Sequence, residues 1–243
     1  MDGLLRCSRY AFGPNRLHYC GPDANREVLS YIQEGAGDLG LEALLKQFDT
    51  MYPYLRFIAR SHHIGDPFDW RVVEAYWIGN GLLDTIDKKK FYRHIIDDHR
   101  VKDKIKSKPL EQLAEKIRMQ ALPHHSFHVF NIWKRTGHVK EAHTLDSMDQ
   151  CRISCGTITR IEGPVISITT KPLILVKNAL ALGEPIGKKI SRMLEGPAEL
   201  DALKIGDTIS AHWGVVCETL TPQKAAQLER YTLQSIKLAN SFL

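Results

Sequence analysis

The chain has 243 residues, a formal net charge of +5, 43% hydrophobic residues and 25% charged residues. These proportions are typical of a globular protein and exclude a disordered or fibrous chain. The sequence contains no apolar run long enough to span a membrane and no secretory leader, so we expect a cytoplasmic protein with no membrane contact.

Thiols are the first candidate for chemistry, because the chain has 5 cysteines and no export signal. A disulfide framework is not expected in such a chain. Thiol or metal chemistry is one explanation for each cysteine, and a small buried apolar residue is the other. The cysteines are Cys7, Cys20, Cys151, Cys155 and Cys217.

Residues 1–22 carry two Gly-Pro pairs, Gly13-Pro14 and Gly21-Pro22, around a short apolar stretch. Glycine and proline are the strongest local breaks in a sequence, so we predict an ordered arm or loop. The arm contains Cys20. We expect this thiol either to join other thiols or histidines in a mixed metal site or to lie in a surface arm packed on helices.

Residues 23–122 carry apolar residues at helical spacing, interrupted by glycine and proline. Asp23 is the expected N-cap of the first helix. Basic residues concentrate at 88–118 but alternate with acidic ones, which favours a solvated helical face over a phosphate-binding groove. The predicted helices lie at about 23–33, 39–49, 54–62, 70–83, 89–98 and 110–122.

After residue 145 the composition becomes β-branched. The turn Glu162-Gly163-Pro164 separates two such runs and predicts a hairpin. We expect further strands at 173–176 and 208–219, and a terminal helix from Pro222 to about 239. The predicted class is α+β, with an all-α domain and arm at 1–145 and a small OB-like β-barrel with a terminal helix at 146–243.

Two segments of the C-terminal part resemble one protein family. Cys151-Arg-Ile-Ser-Cys155-Gly156, followed by alternating β residues, resembles the opening strand of the HypC/HupF chaperones of nickel-iron hydrogenase assembly. The segment from Gly206 to Gly214, which includes His212, resembles the second half of that pattern. Cys151 is internal here, whereas the family's cysteine follows the initiator methionine, and Cys155 takes the position of a family proline.

The resemblance implies both a site and a partner. The thiolate of Cys151 would face iron that carries cyanide and carbon monoxide, and His212 would support it. The partner would be a hydrogenase maturation scaffold protein or the hydrogenase large subunit. A thiolate is also, on general grounds, a ligand that such an iron centre prefers.

Cys151 and Cys155 permit a second interpretation. Side chains alternate along a strand, so on a strand these two thiols would share one face. They could then bind one metal ion or form a redox pair, although structural zinc usually needs four ligands and a closer cysteine pair. The alternative is one exposed thiol and one buried thiol.

Two histidine clusters lie in the helical part: His62-His63, and His124-His125 with His128. On a helix His124 and His128 would share one face, which suits a single metal ion. Buried or surface histidines with ordinary hydrogen bonds are the alternative. The carboxylates available near the first pair belong to Asp66, Asp69 and Glu74.

The sequence lacks the motifs of several other classes of protein. The sequence has no phosphate-binding loop, dinucleotide fingerprint or serine nucleophile elbow. The predicted strands lack the interleaved aromatic and basic residues of nucleic-acid binding barrels. The HypC/HupF resemblance implies a binding protein for metallocentre assembly, in nickel-iron hydrogenase maturation, that handles iron or another transition metal. The alternative is a metal-dependent enzyme with its site among the histidine clusters.

Overall fold

A computed structural model describes residues 2–98, 107–132, 143–192 and 202–242. Helices dominate the first part of the chain and strands the second, which confirms the predicted α+β class. In the described ranges the helices before the strands are α1 Gly3–Asn15, α2 Asn25–Glu34, α3 Leu39–Lys46, α4 Met51–Ser61, α5 Trp70–Trp77, α6 Gly81–Asp84, α7 Lys88–Asp97, α8 Ser107–Arg118, α9 His125–Phe127 and α10 Leu145–Cys151.

A π-helical turn, His128–Ile132, continues α9. The second part of the chain ends with a long helix that Pro222 begins and Thr221 caps. Its elements are β1 Ser154–Glu162, β2 Val165–Thr170, β3 Leu173–Val176, β4 Ala179–Leu182, β5 Ile186–Ser191, β6 Thr208–His212, β7 Val215–Thr219 and α11 Pro222–Ala239.

Residues 3–15 of the predicted ordered arm or loop form a helix, which corrects the prediction for that part, whereas residues 16–22 form a loop. Asp2 caps α1 by accepting a hydrogen bond from the Leu4 N–H at 2.8 Å. Pro14 lies one residue before the end of α1, where its missing N–H removes only the hydrogen bond to the carbonyl of Tyr10. Most of α1 is buried, and it packs against both helices and strands.

The predicted helices between residues 23 and 122 are confirmed with small shifts of their ends. The predicted helix at 70–83 is two helices, because the chain leaves helical geometry at Gly79, which has a φ of 94°. Glycine is also required there by the close approach of Tyr231, since a Cβ would lie 1.9 Å from its ring. Asp23 does not cap α2; it pairs instead with His18 at 3.0 Å, and Ala24 is the N-cap. Part of the charged run at 88–118 lies outside the described residues.

Five strands form a closed barrel in the order β1-β2-β5-β7-β6. Neighbouring strands are antiparallel, except that β5 and β7 run parallel and pair at Ser191 and Val215. The predicted hairpin is the β1-β2 pair, which turns at Gly163. Strands β3 and β4 form a separate hairpin. The OB-like subtype stays a prediction.

The helices and the barrel share one hydrophobic core. The largest buried cluster joins side chains of α1, α4 and α5 to Ile153, Cys217 and Leu228 of the C-terminal part. A second cluster of aliphatic side chains fills the barrel. The predicted boundary at residue 145 stays a prediction, and α10 crosses it. Among the described residues, no helix has both the length and the hydrophobicity to cross a membrane.

Candidate metal centre

Three buried side chains converge where the helices meet the barrel. His125 begins α9, Cys151 ends α10 and His212 ends β6. One ligand atom from each residue lies within 4.8 Å of the other two. Imidazole nitrogen and thiolate sulfur are ligands of first-row transition metals. This group could therefore hold a metal ion.

A backbone hydrogen bond joins two of the elements that carry these side chains. The Trp213 N–H donates to the Gln150 carbonyl at 2.9 Å, which links the residue after His212 to the residue before Cys151. Trp213 and Gly214 have φ of 49° and 71°, as the two central residues of a tight hairpin turn require. The turn between β6 and β7 thus fixes His212 relative to α10.

The carbonyl of Tyr10 orients His212. Pro14 has no N–H to offer this carbonyl, and His212 lies with its Nδ1 2.6 Å from it. A carbonyl only accepts, so Nδ1–H donates, and a neutral imidazole then carries its lone pair on Nε2. Nε2 is therefore the nitrogen of His212 that would bind a metal ion. Tyr10 supplies the outer hydrogen bond that metal-binding histidines usually make.

Gly13 allows α1 to approach His212 closely. A Cβ at Gly13 would lie 2.3 Å from the His212 carbonyl oxygen. We expect Gly13→Ala to lower the free energy of unfolding by about 1–3 kcal/mol, because the backbone must move to accept the methyl group. The control is Gly187→Ala on β5, where an added Cβ has nothing within 4 Å. Equal urea midpoints for the two variants would contradict this packing.

Two hydrogen bonds fix the ring of His125. Its Nε2 lies 2.7 Å from the Cys151 carbonyl and its Nδ1 lies 3.1 Å from the Tyr76 hydroxyl. Because a carbonyl only accepts, Nε2–H donates and Nδ1 carries the lone pair, which the Tyr76 O–H meets. Nδ1 is therefore the nitrogen of His125 that would bind a metal ion, and the ion would compete with the hydroxyl for it.

The surroundings keep His125 in the neutral form that binds metal. Burial, and next the proximity of His212, lower the pKa of His125 well below its usual range. The Trp77 ring covers both imidazoles, with centroids 4.6 Å from His125 and 5.5 Å from His212, and Tyr10 stacks on Trp77 at 5.2 Å. Exposure is 6% for His125, 8% for Cys151 and 1% for His212.

The other histidines of the second cluster have structural contacts. The Nδ1 of His124 accepts from the Ser126 N–H at 3.2 Å as the N-cap of α9, and its ring stacks on Tyr231. The Nδ1 of His128 lies 3.2 Å from the Tyr54 hydroxyl. The expected shared helical face is wrong, because His124 precedes α9 and the π-helical turn begins at His128.

The first cluster lies at the end of α4 and does not join the convergent group. The His62 Nε2 is 2.7 Å from the Leu82 carbonyl, and His63 is exposed. The nearby carboxylates have other roles. Asp66 accepts from the Phe68 N–H, Asp69 caps α5, and Glu74 pairs with Arg6 and Lys224.

Cys151 and Cys155 are not on one strand face, which corrects that expectation, because Cys151 ends α10 and Cys155 lies on β1. Cys155 lines a cavity of about 260 Å³ between β1, β2 and α11. Burial raises the pKa of this thiol to about 11, so it is protonated near neutral pH. Cys20 is half-buried in the loop after α1.

Sequence reasoning missed a buried ion network beside the candidate centre. Arg6 pairs with Glu218 at 2.7 Å and with Glu74 at 2.9 Å. The Tyr10 hydroxyl donates to Glu218 at 2.6 Å, so the residue that orients His212 also touches the network. The one sequence feature that pointed to this network was a charged residue, Arg6, in an apolar segment.

The buried histidines predict that acid destabilises the metal-free protein. Burial lowers the pKa of His124 to about 3 and that of His125 well below its usual range. In the unfolded chain both titrate near pH ~6.5. Below that pH the unfolded state takes up protons that the folded state does not, so stability falls with pH by about 1.4 kcal/mol per unit for each histidine.

Urea denaturation of the metal-free protein at about pH 7.5 and about pH 5.5 measures this effect. We expect a loss of about 2–3 kcal/mol across that interval. The exposed His63 provides the control, since His63→Ala should leave the dependence unchanged. A flat profile would mean that the folded protein already carries protonated imidazoles.

The fold and the convergent group define an α+β protein with a candidate transition-metal centre between its helices and its barrel. The chain belongs to a family of unknown function, DUF6390, whose model matches residues 1–243. The HypC/HupF assignment is therefore wrong: the matching family covers the whole chain, and Cys151 ends a helix rather than opening a strand. No curated protein and no solved structure matches the chain.

Proposed function

We propose that this protein binds one transition-metal ion through His125, Cys151 and His212 and acts as an accessory protein that holds or passes on the ion. One observation carries the proposal: three buried side chains from three separate elements bring their ligand atoms within 4.8 Å of one another. Each histidine also makes an outer hydrogen bond that orients its ring, His212 to the Tyr10 carbonyl and His125 to the Cys151 carbonyl.

The donor set limits the metal. Two imidazoles and one thiolate suit zinc, copper, iron or nickel, whereas magnesium and calcium prefer oxygen ligands. The iron centre with cyanide and carbon monoxide and the hydrogenase partners were implied by the HypC/HupF resemblance alone, so they are not part of this proposal. The cellular compartment stays a prediction.

Burial favours an accessory role over catalysis. A catalytic zinc site keeps an open coordination position that substrate or water can reach. Here each ligand side chain is at most 8% exposed, and the Trp77 ring packs on both imidazoles. Of the histidines in the alternative enzyme site, only His125 joins the convergent group in the described ranges; the others are His62, His63, His124 and His128.

Titration of metal-stripped protein with Zn²⁺ tests the proposal. We expect saturation at one ion per chain. At a free concentration about 100 times the Kd, binding adds about 2.7 kcal/mol of stability, which raises the Tm by about 5–11 °C for a chain of this size. An absence of saturable binding, with an unchanged Tm, would contradict it.

A further inference from the structure

The cavity of about 260 Å³ between β1, β2 and α11 is separate from the candidate metal centre, because none of the three side chains of that centre lines it. A cavity of about 150 Å³ holds benzene, so this one has room for a ligand of about ten non-hydrogen atoms, near the lower end of ligand pockets. Its apolar wall includes Ile153, Cys155, Leu182, Pro185 and Leu228.

Two buried hydroxyl groups of the wall already have partners within the protein. Thr170 Oγ1 donates to the Cys155 carbonyl at 2.6 Å, and Thr232 Oγ1 lies 3.3 Å from the Ser126 Oγ. These hydrogen bonds fix β2 to β1 and α11 to α9, so the cavity is formed before a ligand enters. A bound molecule need not offer polar atoms to these hydroxyls, and an apolar body gains by leaving water.

The ion pairs beside the cavity share more cations than carboxylates. Arg152 lines the cavity and pairs with one oxygen of Asp149 at 2.8 Å, while Lys188 lies 3.5 Å from the other oxygen of that carboxylate. Lys171 also lines the cavity and pairs with Glu229 at 2.6 Å. Three cations thus share two carboxylates in these pairs, which favours an anionic ligand.

Lys171 is the cation that a ligand can reach. Its side chain is 48% exposed and that of Glu229 is 43% exposed, so their ion pair contributes at most about 1 kcal/mol. An ammonium group has three N–H donors, and Lys171 can therefore contact a ligand carboxylate while it keeps Glu229. Arg152, in contrast, is buried and held by Asp149 and by the Lys171 carbonyl.

We infer that this cavity binds a small monocarboxylate whose apolar chain or ring lies against the wall and whose carboxylate pairs with Lys171. The inference is independent of the proposed metal function. It also gives Cys155 a place in the chemistry of the molecule: the thiol is part of the wall that the apolar body of the ligand contacts.

Calorimetric titration of the full chain with octanoate tests the inference, because octanoate has this size and an apolar chain. We expect saturation at one molecule per chain and at least about 10-fold weaker binding of octylamine, which has a similar chain but a positive charge. Lys171→Met should weaken octanoate binding about 10-fold, since a charge-assisted hydrogen bond is lost. The matched control is Lys189→Met on β5, an exposed cation that does not line the cavity.

Two further measurements locate the bound molecule. Leu182→Trp should abolish octanoate binding by filling the cavity from β4, whereas Leu175→Trp, exposed on the same hairpin, should not. In the wild type, octanoate should slow alkylation of Cys155, resolved by mass spectrometry, and leave that of Cys20, the other half-buried thiol, unchanged.

The second of these measurements needs no variant, so it decides the matter even if Leu182→Trp fails to fold. An absence of saturable octanoate binding would overturn the inference. Octylamine that binds as tightly as octanoate, or an unchanged rate of Cys155 alkylation in saturating octanoate, would overturn it as well. None of these results would bear on the metal centre.

Discussion

Cys151→Ser is expected to weaken Zn²⁺ binding by more than about 100-fold, beyond the 10–100-fold that loss of an outer hydrogen-bond partner costs. The thiolate is the softest donor of the set and the only one that brings a negative charge to the three-ligand group. A serine hydroxyl stays protonated near neutral pH and replaces neither property. The side chain is buried, so water cannot readily take its place.

Cys155→Ser provides the matched control for this experiment. Cys155 is four residues away, half-buried and outside the convergent group, so its variant should bind Zn²⁺ with the affinity of the wild type. Competition titration against a chromophoric chelator measures both values. Similar affinities for Cys151→Ser and Cys155→Ser would remove Cys151 from the ligand set.

Arg6→Ala is expected to lower the free energy of unfolding by about 3–5 kcal/mol, because it removes a buried cation that pairs with both Glu218 and Glu74. Arg6 is 3% exposed and hydrogen-bonds to both Glu218 and Glu74. Burial alone would raise the pKa of Glu74, but hydrogen bonds and charges from Lys224 and Arg6 lower it. Lys224 and Arg6 together therefore keep Glu74 ionised in the folded state.

An exposed ion pair serves as the control for Arg6. Arg71 pairs with Asp69 at 2.8 Å, and its side chain is 50% exposed. Exposed pairs contribute at most about 1 kcal/mol, so Arg71→Ala should shift the urea midpoint much less than Arg6→Ala. If Arg6→Ala also cost under about 1 kcal/mol, the buried network would not be stabilising the junction of α1, α5 and β7.

Local sequence patterns predicted most of the fold. Apolar spacing located the helices of the N-terminal part, and β-branched runs with Glu162-Gly163-Pro164 located the first hairpin. The same reasoning failed at α1, because Gly13 and Pro14 are usually breaks in regular structure. Here they serve tertiary contacts: Gly13 gives room to the His212 backbone, and Pro14 releases the Tyr10 carbonyl for the His212 imidazole.

The sequence pointed to the residues of the candidate site but could not show which of them come together. Cys151 and His212 were singled out by the HypC/HupF resemblance, and His125 by the second histidine cluster. Their convergence depends on contacts between distant parts of the chain, such as that of His212 with Tyr10, 202 residues apart. The histidine spacing favoured His124 with His128, because helical periodicity cannot show that a cap and a π-helical turn replace the helix.

X-ray absorption spectroscopy of the Zn²⁺-loaded protein tests the ligand set most directly. We expect sulfur at about 2.3 Å and imidazole nitrogen at about 2.0–2.1 Å, with the sulfur contribution reduced in Cys151→Ser and unchanged in Cys155→Ser. A shell of oxygen and nitrogen alone, or a Cys151→Ser spectrum identical to that of the wild type, would show that the ion binds elsewhere and that His125, Cys151 and His212 form only a packed core.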